Sequence, residues 1–524
     1  MPKVVTRLLM ASDGEGDFDV VVLGTGLTES IAAAALAKAG FKVAHLDSNA
    51  HYGAGEASLS FDELLELQSQ PSTQFFKFSR TTDVIPQPRA YSLSLSPSLI
   101  PSTGPLIDAL VGSGVSRYGG FRLLERVCVY DPSGTAQPVP GSKEDIFKSR
   151  SISLLEKRRL MRFLQFAAST DALEDRKEMQ GNAQTPFPVF LKTVFSLNDD
   201  MVNAIAYALA YCLTPNEPAM PVLHRLRRYL RAAGRYGASP FLIAHYGGSG
   251  EIAQGFCRTA AVGGAVYILG RKITNISSTE DGTRHAIQVE DVPDVVTCSL
   301  LVGGQSGDVV PLPQDDLAPV STATQSYPVA RCIAIVDQPV LFNPPPEPEA
   351  DAEEVDGPAP EPTPADTAVL VFPPSSLPNG GSTTASATVL ITGEGTMSCP
   401  RGKWILYIAL PTTADADPQT LLKPYLDATL ALASPDLEPL FATYYLQTPS
   451  PAPTAPTATP ASLVPAPLPP LLPLPDAGDA AAVHAAGVYW AAMRKLKPGN
   501  EVDELEAAGG IWPAMESGDA DADE

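Results

Sequence analysis

The chain has 524 residues and a formal net charge of −23, and both values restrict what it can be. A chain of this length exceeds what one hydrophobic core usually serves, so two or more domains are expected. The negative charge argues against nucleic acid or an anionic membrane as the main partner, because both attract a positive protein surface.

The cysteines and the two termini bear on the compartment. The six cysteines are scattered without a Cys-x-x-Cys pair, which favours buried, reduced thiols over disulfides or zinc ligands. No segment is apolar for long enough to span a bilayer, residues 1–16 lack the apolar core of a secretory signal, and residues 519–524 offer no prenylation cysteine. We therefore expect a cytoplasmic protein of the cytosol, with no membrane anchor of its own and no bound metal.

The first predicted elements form a dinucleotide-binding fingerprint whose third glycine is missing. In chain order its parts are an apolar run (20–23), Gly24 and Gly26, a predicted helix (30–39), a second apolar run (43–46) and the acid Asp47. This order is typical of a Rossmann βαβ unit. Glu29 stands where the third glycine belongs, and its carboxylate would repel a pyrophosphate. The motif therefore predicts the fold, and we interpret it as vestigial, with no bound cofactor.

Helical and strand-like patterns follow one another along the rest of the chain. The predicted helices cover 154–164, 201–212, 223–233, 249–262 with Ser249 as the N-cap, and 480–496. The predicted strands cover 265–269, 332–336, 368–372 and 404–408. Two stretches, the acidic and proline-rich 343–366 and the proline-rich 448–475, are predicted to be unstructured, because neither can bury enough apolar surface to offset its ordering entropy.

Several short blocks together resemble the Rab GDP-dissociation inhibitor and Rab escort protein superfamily. The blocks are 23–29 (LGTGLTE, with the glutamate in place of the third glycine), 47–53 (DSNAHYG), 115–118 (VSRY), 156–159 (EKRR) and 246–264 (YGGSGEIAQGFCRTAAVGG). Any one of them alone would be a weak signal, but as a set they are specific. The resemblance covers most of the chain outside the two low-complexity stretches.

This resemblance implies an α/β fold: an FAD/NAD(P)-binding Rossmann-like domain with a mixed sheet, plus an inserted all-helical domain. The predicted organisation is a first α/β part (17–135), a helical lipid-binding domain (140–236), a second α/β part (237–447) with the acidic insert (343–366), a proline-rich linker (448–476), and a C-terminal helix with an acidic tail (477–524).

Within the superfamily the escort branch is favoured over the dissociation-inhibitor branch. The length, the acidic insert and the segments 115–118, 256–258 (FCR) and 399–407 (CPRGKWILY) are similar to escort proteins. The resemblance then implies binding of GDP-bound Rab GTPases, presentation to the Rab geranylgeranyltransferase α/β heterodimer, sheltering of the geranylgeranyl lipid, and transient membrane contact during delivery. It implies an accessory component without catalytic residues. A dissociation inhibitor that recycles prenylated Rabs remains the alternative.

The helix predicted over 249–262 carries the candidate binding residues. Glu251 and Arg258 are seven positions apart and share one helix face, while Ile252, Phe256 and Thr259 lie on another. Such a pattern is also what a solvated helix face shows. The resemblance implies that Tyr52, Glu251 and Arg258 contact the GTPase, and it adds Val266 and Ile268 as neighbours.

The densest basic cluster of this acidic chain lies nearby. Its members are Arg225, Arg227, Arg228, Arg231 and Arg235. A solvated helix face and a docking surface for an acidic partner are both compatible with the pattern. The resemblance implies contact with the prenyltransferase heterodimer, with Arg235 as the candidate.

Five phenylalanines in the helical segment (Phe163, Phe166, Phe187, Phe190 and Phe195) suit either an apolar lipid cavity or an ordinary core.

An enzyme is the alternative class of protein: a flavin-dependent oxidoreductase in which Asp47 would bind the ribose of the cofactor. Glu29 argues against it, and the six histidines form no evident acid–base or metal constellation.

Overall fold

The structure is a computed structural model that describes residues 16–70, 72–139, 153–303, 308–310, 328–343, 362–448, 462–465, 471–499 and 501–512. The strands within these ranges, in chain order, are β1 (Asp17–Leu23), β2 (Val43–Asp47), β3 (Ser58–Leu59), β4 (Phe75–Arg80), β5 (Leu93–Ser94), β6 (Ile100–Pro101), β7 (Phe121–Leu123), β8 (Arg126–Asp131), β9 (Thr135–Pro138), β10 (Phe241–Ala244), β11 (Val266–Leu269), β12 (Ile273–Ser278), β13 (His285–Val289), β14 (Val296–Val302), β15 (Asp308–Val310), β16 (Val329–Val336), β17 (Leu341–Phe342), β18 (Thr363–Pro364), β19 (Thr367–Phe372), β20 (Ala387–Thr392), β21 (Trp404–Pro411), β22 (Phe441–Gln447) and β23 (Ser462–Pro465).

The same ranges also contain α-helices. They are α1 (Leu27–Lys38), α2 (Phe61–Ser69), α3 (Pro105–Ser113), α4 (Leu154–Ala168), α5 (Phe187–Phe195), α6 (Asp199–Asn203), α7 (Ala219–Ala232), α8 (Ser249–Val262), α9 (Pro418–Ala431), α10 (Asp476–Leu496) and α11 (Glu501–Ala508). A π-helix, Ala204–Leu209, continues α6 directly. The chain is therefore a mixed α/β protein, as the fingerprint predicts.

The first sheet contains the Rossmann unit. Its strands lie in the order β11-β2-β1-β14-β13-β12, and β23 and β15 extend it beside β14. The four strands β11, β2, β1 and β14 run parallel, β13 pairs antiparallel with β14, and β12 pairs antiparallel with β13. Helices α1, α8 and α10 cover one face of this sheet. Parallel strands connected through helices are typical of a doubly wound fold.

The turn between β1 and α1 requires a glycine, and the helix that follows it requires small side chains. Gly24 has a φ of +87°, a left-handed conformation that glycine adopts without a Cβ clash. Residues 31–36 of α1 are completely buried, because α8 and α10 pack on this helix as closely as its alanines allow. The predicted strand–turn–helix–strand order is confirmed, and α1 begins at Leu27 rather than at residue 30.

The second sheet has eight strands in the order β4-β22-β16-β21-β20-β19-β8-β9. Its pairs are antiparallel except for β19 with β8. One face packs on helices α4 to α7 and the other on α9. The helical segment between β9 and β10 therefore forms a layer on this sheet, which explains why its helices have a continuous apolar side.

The helical layer has a core of clustered aromatic rings. Phe163, Phe166, Phe187, Phe190 and Phe195 are each at most 3% exposed, and their ring centroids lie 5.2–6.4 Å apart. A capping box of Ser153 and Glu156 begins α4, and it satisfies amide groups that the first helical turn leaves free. For these phenylalanines the structure supports the ordinary-core alternative.

Two predicted secondary-structure assignments are wrong in detail. Ser249 is the first residue of α8 and Gly248 is its N-cap, without a side-chain cap; the Ser249 hydroxyl instead bonds to that of Ser98 at 2.8 Å. The predicted helix 201–212 is the short α6 followed by the π-helix. All six cysteines are free and buried, which confirms the prediction of buried thiols.

Both proline-rich stretches and the C-terminal helix contain more secondary structure than the composition predicts. Ser462–Pro465 forms β23 and pairs in parallel with β14, and Thr363–Pro364 forms β18 and pairs with β17. Helix α10 begins at Asp476 instead of residue 480 and packs on α1. Composition concealed these short strands because each is only two to four residues long. Residues 344–361, 449–461 and 466–470 of the two proline-rich stretches, and residues 513–524, lie outside the described residues.

Candidate functional site

Tyr52 and Glu251 meet at one surface depression. Tyr52 belongs to the loop after β2 and is half-buried, whereas Glu251 is exposed in the first turn of α8. Both line a depression of about 220 Å³ together with Tyr246. Arg258 lies seven residues further along α8, which is about 10.5 Å along the helix axis. We call Tyr52, Tyr118, Tyr246, Glu251 and Arg258 the platform surface.

Arg258 owes its orientation to Tyr118. The guanidinium carbon lies 5.0 Å from the centre of the Tyr118 ring, a cation–π geometry. The Tyr118 hydroxyl donates to the carbonyl of Gly255 at 2.9 Å and lies 2.7 Å from the Thr259 hydroxyl. Tyr118 is therefore fixed on α8 and holds the Arg258 side chain beside it, although both remain exposed.

Glu251 has an unusual electrostatic environment for an exposed residue. Partial burial raises the pKa of its carboxyl group, and no opposing charge contributes to that shift. A carboxylate that loses water without gaining a cation is less stable than a free one. A partner that brings a positive charge to this position would remove that penalty.

The structure does not place Val266 and Ile268 on the platform surface. Ile268 is 3% exposed, and both side chains pack on the opposite face of the first sheet. Their neighbour Tyr267 points the other way, since side chains alternate along a strand. Its ring lies 6.0 Å from that of Tyr52 at an interplanar angle of 67°. Val266 and Ile268 therefore lie apart from the platform surface, and their contact with a GTPase stays a prediction; strand alternation would have indicated Tyr267 as the neighbour of Tyr52.

A buried histidine lies beneath Tyr267. The Nδ1 atom of His45 is 3.3 Å from the Tyr267 hydroxyl, and its Nε2 atom bonds to the carbonyl of Gly24. Burial lowers the pKa of His45 to about 4, so its ring is neutral at physiological pH. Because a carbonyl only accepts, Nε2 carries the proton and Nδ1 accepts from the tyrosine. Sequence reasoning missed both residues.

The acid of the fingerprint is occupied by the protein itself. Oδ2 of Asp47 accepts from the amide of Thr25 at 2.8 Å and from its hydroxyl at 2.6 Å. Oδ1 accepts from the amide and the side chain of Asn49 at 2.8 and 3.0 Å. A carboxylate with four such donors has little capacity left for a ribose hydroxyl.

Two further carboxyl groups stand where a pyrophosphate would lie. A methyl group on Gly26 would be 2.6 Å from Oε2 of Glu29 and 3.4 Å from Oε2 of Glu56. Burial raises the pKa of both groups to about 7, and for Glu29 the charge of Glu56 adds to the effect. The amide of Leu27, in the first turn of α1, donates to Glu56. This is an amide position that phosphates use in dinucleotide sites.

These carboxyl groups face a partly open cavity of about 920 Å³ that is lined by residues of the two large sheets. The fold family implies a flavin or nicotinamide dinucleotide in this region. The residues present do not fit a dinucleotide. Two carboxyl groups occupy the phosphate position, and Asp47, the acid that would bind the ribose, is already hydrogen-bonded within the protein. Glu29 was expected to oppose a pyrophosphate, and Glu56 adds to that opposition in a way the sequence did not indicate.

The arginine cluster on α7 is mostly internal. Arg225 bonds the Ala210 carbonyl at 2.7 Å and Glu217 at 2.8 Å, and Arg227 bonds the carbonyls of Ala167 and Asp171. Both are 7% exposed.

The third arginine of the cluster, Arg228, connects α7 to the C-terminal helix. It lies 2.7 Å from Asp476 and 3.5 Å from Asp479 of α10. Only Arg231 and Arg235 are exposed, and Arg235 lies over the ring of Tyr236 at 5.5 Å. The idea of a five-arginine docking face is therefore wrong, and Arg235 remains as a candidate.

The described residues hold neither a candidate membrane span nor a candidate metal centre. No helix among them is long and apolar enough to cross a membrane. No group of three or more His, Cys, Asp or Glu side chains in these same ranges is placed to hold a metal ion.

Fold and site together define a class: a dinucleotide-type α/β fold whose nucleotide position is taken by its own side chains. A family model, GDP dissociation inhibitor, matches residues 14–344. This is more than half of the chain, so the chain belongs to the GDP dissociation inhibitor family.

Curated relatives are named Rab proteins geranylgeranyltransferase component A. The one from Saccharomyces cerevisiae is 29% identical over 408 residues, covering 75% of this chain and 61% of the relative. The one from Drosophila melanogaster is 32% identical over 291 residues, covering 51% and 56%. The chain thus spans about six-tenths of the length of these relatives.

Solved structures support the fold. The Rab GDI of Plasmodium falciparum aligns with a TM-score of 0.59 at 20% identity, covering 86% of this chain and 92% of that one. An oxidoreductase from Methanosarcina mazei aligns with a TM-score of 0.51 at 15% identity, covering 85% and 94%.

The carboxyl pair predicts a pH-dependent stability. The pKa of Glu29 rises from 4.5 to about 7 on folding, so folding takes up protons between these values and stability falls as pH rises through them. Glu29→Gln removes the titration. We expect it to raise the free energy of unfolding by about 1–3 kcal/mol at pH 8 and to change it little at pH 4.

Denaturant unfolding at both pH values measures this effect. Glu280→Gln, at an exposed position between β12 and β13, serves as the control and should change stability equally little at both. Equal pH profiles for Glu29→Gln and the wild type would contradict the assignment.

Proposed function

We propose that this chain is a Rab escort protein. It binds GDP-bound Rab GTPases and presents them to the α/β heterodimer of geranylgeranyltransferase type II. It then shelters the attached geranylgeranyl lipid and delivers the prenylated Rab to a membrane. The observation that carries the proposal is the similarity, across three quarters of the chain, to a protein named Rab geranylgeranyltransferase component A.

The platform surface supports binding of a folded protein partner. Glu251 and Arg258 present opposite charges on one helix, and tyrosines flank each of them. Tyrosine and arginine are enriched in the energetic centres of protein interfaces. The charges would orient the partner, because only one alignment pairs each with its opposite.

The role is that of an accessory component without catalysis of its own. The fold is shared with an oxidoreductase, so a flavin enzyme is the competing class. The carboxyl groups of Glu29 and Glu56 at the phosphate position oppose it. A stoichiometric flavin absorbance band in the purified protein would contradict the escort proposal.

A dissociation inhibitor is the competing function within the family, since one solved relative is a Rab GDI. The curated relatives named component A favour the escort role. The heterodimer contact is assigned to the exposed Arg235, which the loop after α7 presents to solvent. The protein would act in the cytosol and at membranes only transiently.

Arg258 provides a direct test of the platform surface. We expect Arg258→Glu to weaken the affinity for a GDP-loaded Rab at least tenfold, because it replaces the positive end of the platform surface by a repulsive charge. Isothermal titration calorimetry measures the affinity, and thermal unfolding should show an unchanged midpoint. Lys423→Glu is the matched control, because that side chain is 57% exposed on α9, which contributes no residue to the platform surface. Equal affinities for both variants and the wild type would remove the platform assignment.

The escort role itself is tested by the transfer reaction. An unmodified Rab should receive labelled geranylgeranyl groups from the purified heterodimer only when this chain is added. Arg235→Glu should lower the rate at limiting heterodimer concentration while Rab affinity stays constant. If the chain instead extracts prenylated Rab from membranes but does not support the transfer, it is a dissociation inhibitor.

A further inference from the structure

The vestigial nucleotide site and the platform surface are joined by one loop. We call residues 48–57, between β2 and β3, the platform loop; it carries Tyr52. Gly53 in this loop has a φ of +96°. A Cβ there would lie 2.9 Å from the Cα of Ala57 and 3.1 Å from that of Gly250. The loop backbone therefore packs directly on the first turn of α8, next to Glu251.

Thr25 of the fingerprint holds one end of the platform loop. The amide of Gly53, which directly follows Tyr52, donates to the Thr25 carbonyl at 3.0 Å and to its hydroxyl at 3.1 Å. The Thr25 hydroxyl donates in turn to Asp47 at 2.6 Å. Thr25 is completely buried, so water does not compete for these bonds.

Glu56 holds the other end of the same loop. Its carboxyl group accepts from the amide of Leu27 in the first turn of α1. Negative charge at a helix N-terminus is favourable there because the helix dipole and free amides point at it. The platform loop thus reaches into the phosphate position and uses its amide.

Tyr52 is supported from below as well. Its ring stands edge-on to that of Tyr267, whose hydroxyl faces Nδ1 of His45. His45 bonds the carbonyl of Gly24, again in the fingerprint turn. Three separate contacts of the turn 24–27 therefore converge on the position of one half-buried tyrosine.

We propose that the former nucleotide-binding turn positions Tyr52 for partner binding, with Thr25 and Glu56 as the positioning residues. The inference rests on the proposed function of the platform surface and adds a role for atoms that lie beneath it. Neither Thr25 nor Glu56 needs to touch the partner. Each acts by restricting the conformations that the platform loop adopts before binding, which lowers the entropy cost of association.

A thermodynamic cycle with Tyr52 tests the inference. Thr25→Val retains the shape and removes the hydroxyl that bonds Gly53 and Asp47. We expect it to weaken the affinity for a GDP-loaded Rab five- to tenfold, and Thr25→Ser to restore it to within twofold. In a Tyr52→Ala background Thr25→Val should cause no further loss, because its effect passes through the tyrosine.

Thr28→Val is the matched control, since Thr28 is buried in the same motif and no described hydrogen bond joins its hydroxyl to the platform loop. It should leave the affinity unchanged. Glu56→Ala gives a second route that leaves Thr25 intact. It should lower the affinity three- to tenfold in the wild-type background and not at all with Tyr52→Ala.

The outcomes separate the two claims. If Tyr52→Ala lowers the affinity but Thr25→Val and Glu56→Ala do not, the positioning role is wrong and the platform surface stands. Equal losses with and without Tyr52 would also overturn the positioning role, because they indicate a general structural effect. If Tyr52→Ala itself leaves the affinity unchanged, both the proposed contact and the inference fail.

Discussion

The bonds between Asp47 and Thr25 are the constraint on which the site depends. They connect the end of β2 to the turn between β1 and α1, and they leave the Thr25 hydroxyl oriented to accept from Gly53. In a dinucleotide-binding protein the acid at this position would bind a ribose. Here the same acid completes a network within the protein, so the turn can support a loop instead of a ligand.

The carboxyl groups near this network also occupy positions that a bound dinucleotide would take. Glu56 takes an amide of α1, and Glu29 lies close to it. Burial raises the pKa of each carboxyl group to about 7, and for Glu29 the charge of Glu56 adds to the effect. A cavity of about 920 Å³ persists beside them. The fold has therefore kept the space of a cofactor site while its chemistry has changed.

The sequence predicted those elements whose signals are local. Gly24 and Gly26 with the flanking apolar runs indicated the βαβ unit, and the spacing of Glu251 and Arg258 placed both on the exposed face of α8. The burial of Arg225 and Arg227 was not predictable in this way. Their acceptors include the carbonyls of Ala210 and Ala167, and the latter is 60 positions distant in the chain.

The same limit applies to the site. Glu56 reaches the amide of Leu27 only through the path of the platform loop, and no periodicity reports such a path. Strand alternation indicates that Val266 and Ile268 share a face and that Tyr267 has the other. Which face receives α8 is decided by packing of the whole sheet. Helix and strand periodicity thus predicts which side chains share a face, and tertiary contacts decide which element packs on that face.

The central claim is that a surface built on a former nucleotide site binds a Rab GTPase through Tyr52. Site-specific photo-crosslinking measures this most directly, with a benzophenone amino acid at position 52 or, for comparison, at the exposed position of Val84. The account predicts that a GDP-loaded Rab crosslinks to position 52 and not to position 84. Efficient crosslinking from position 84 with none from position 52 would contradict it.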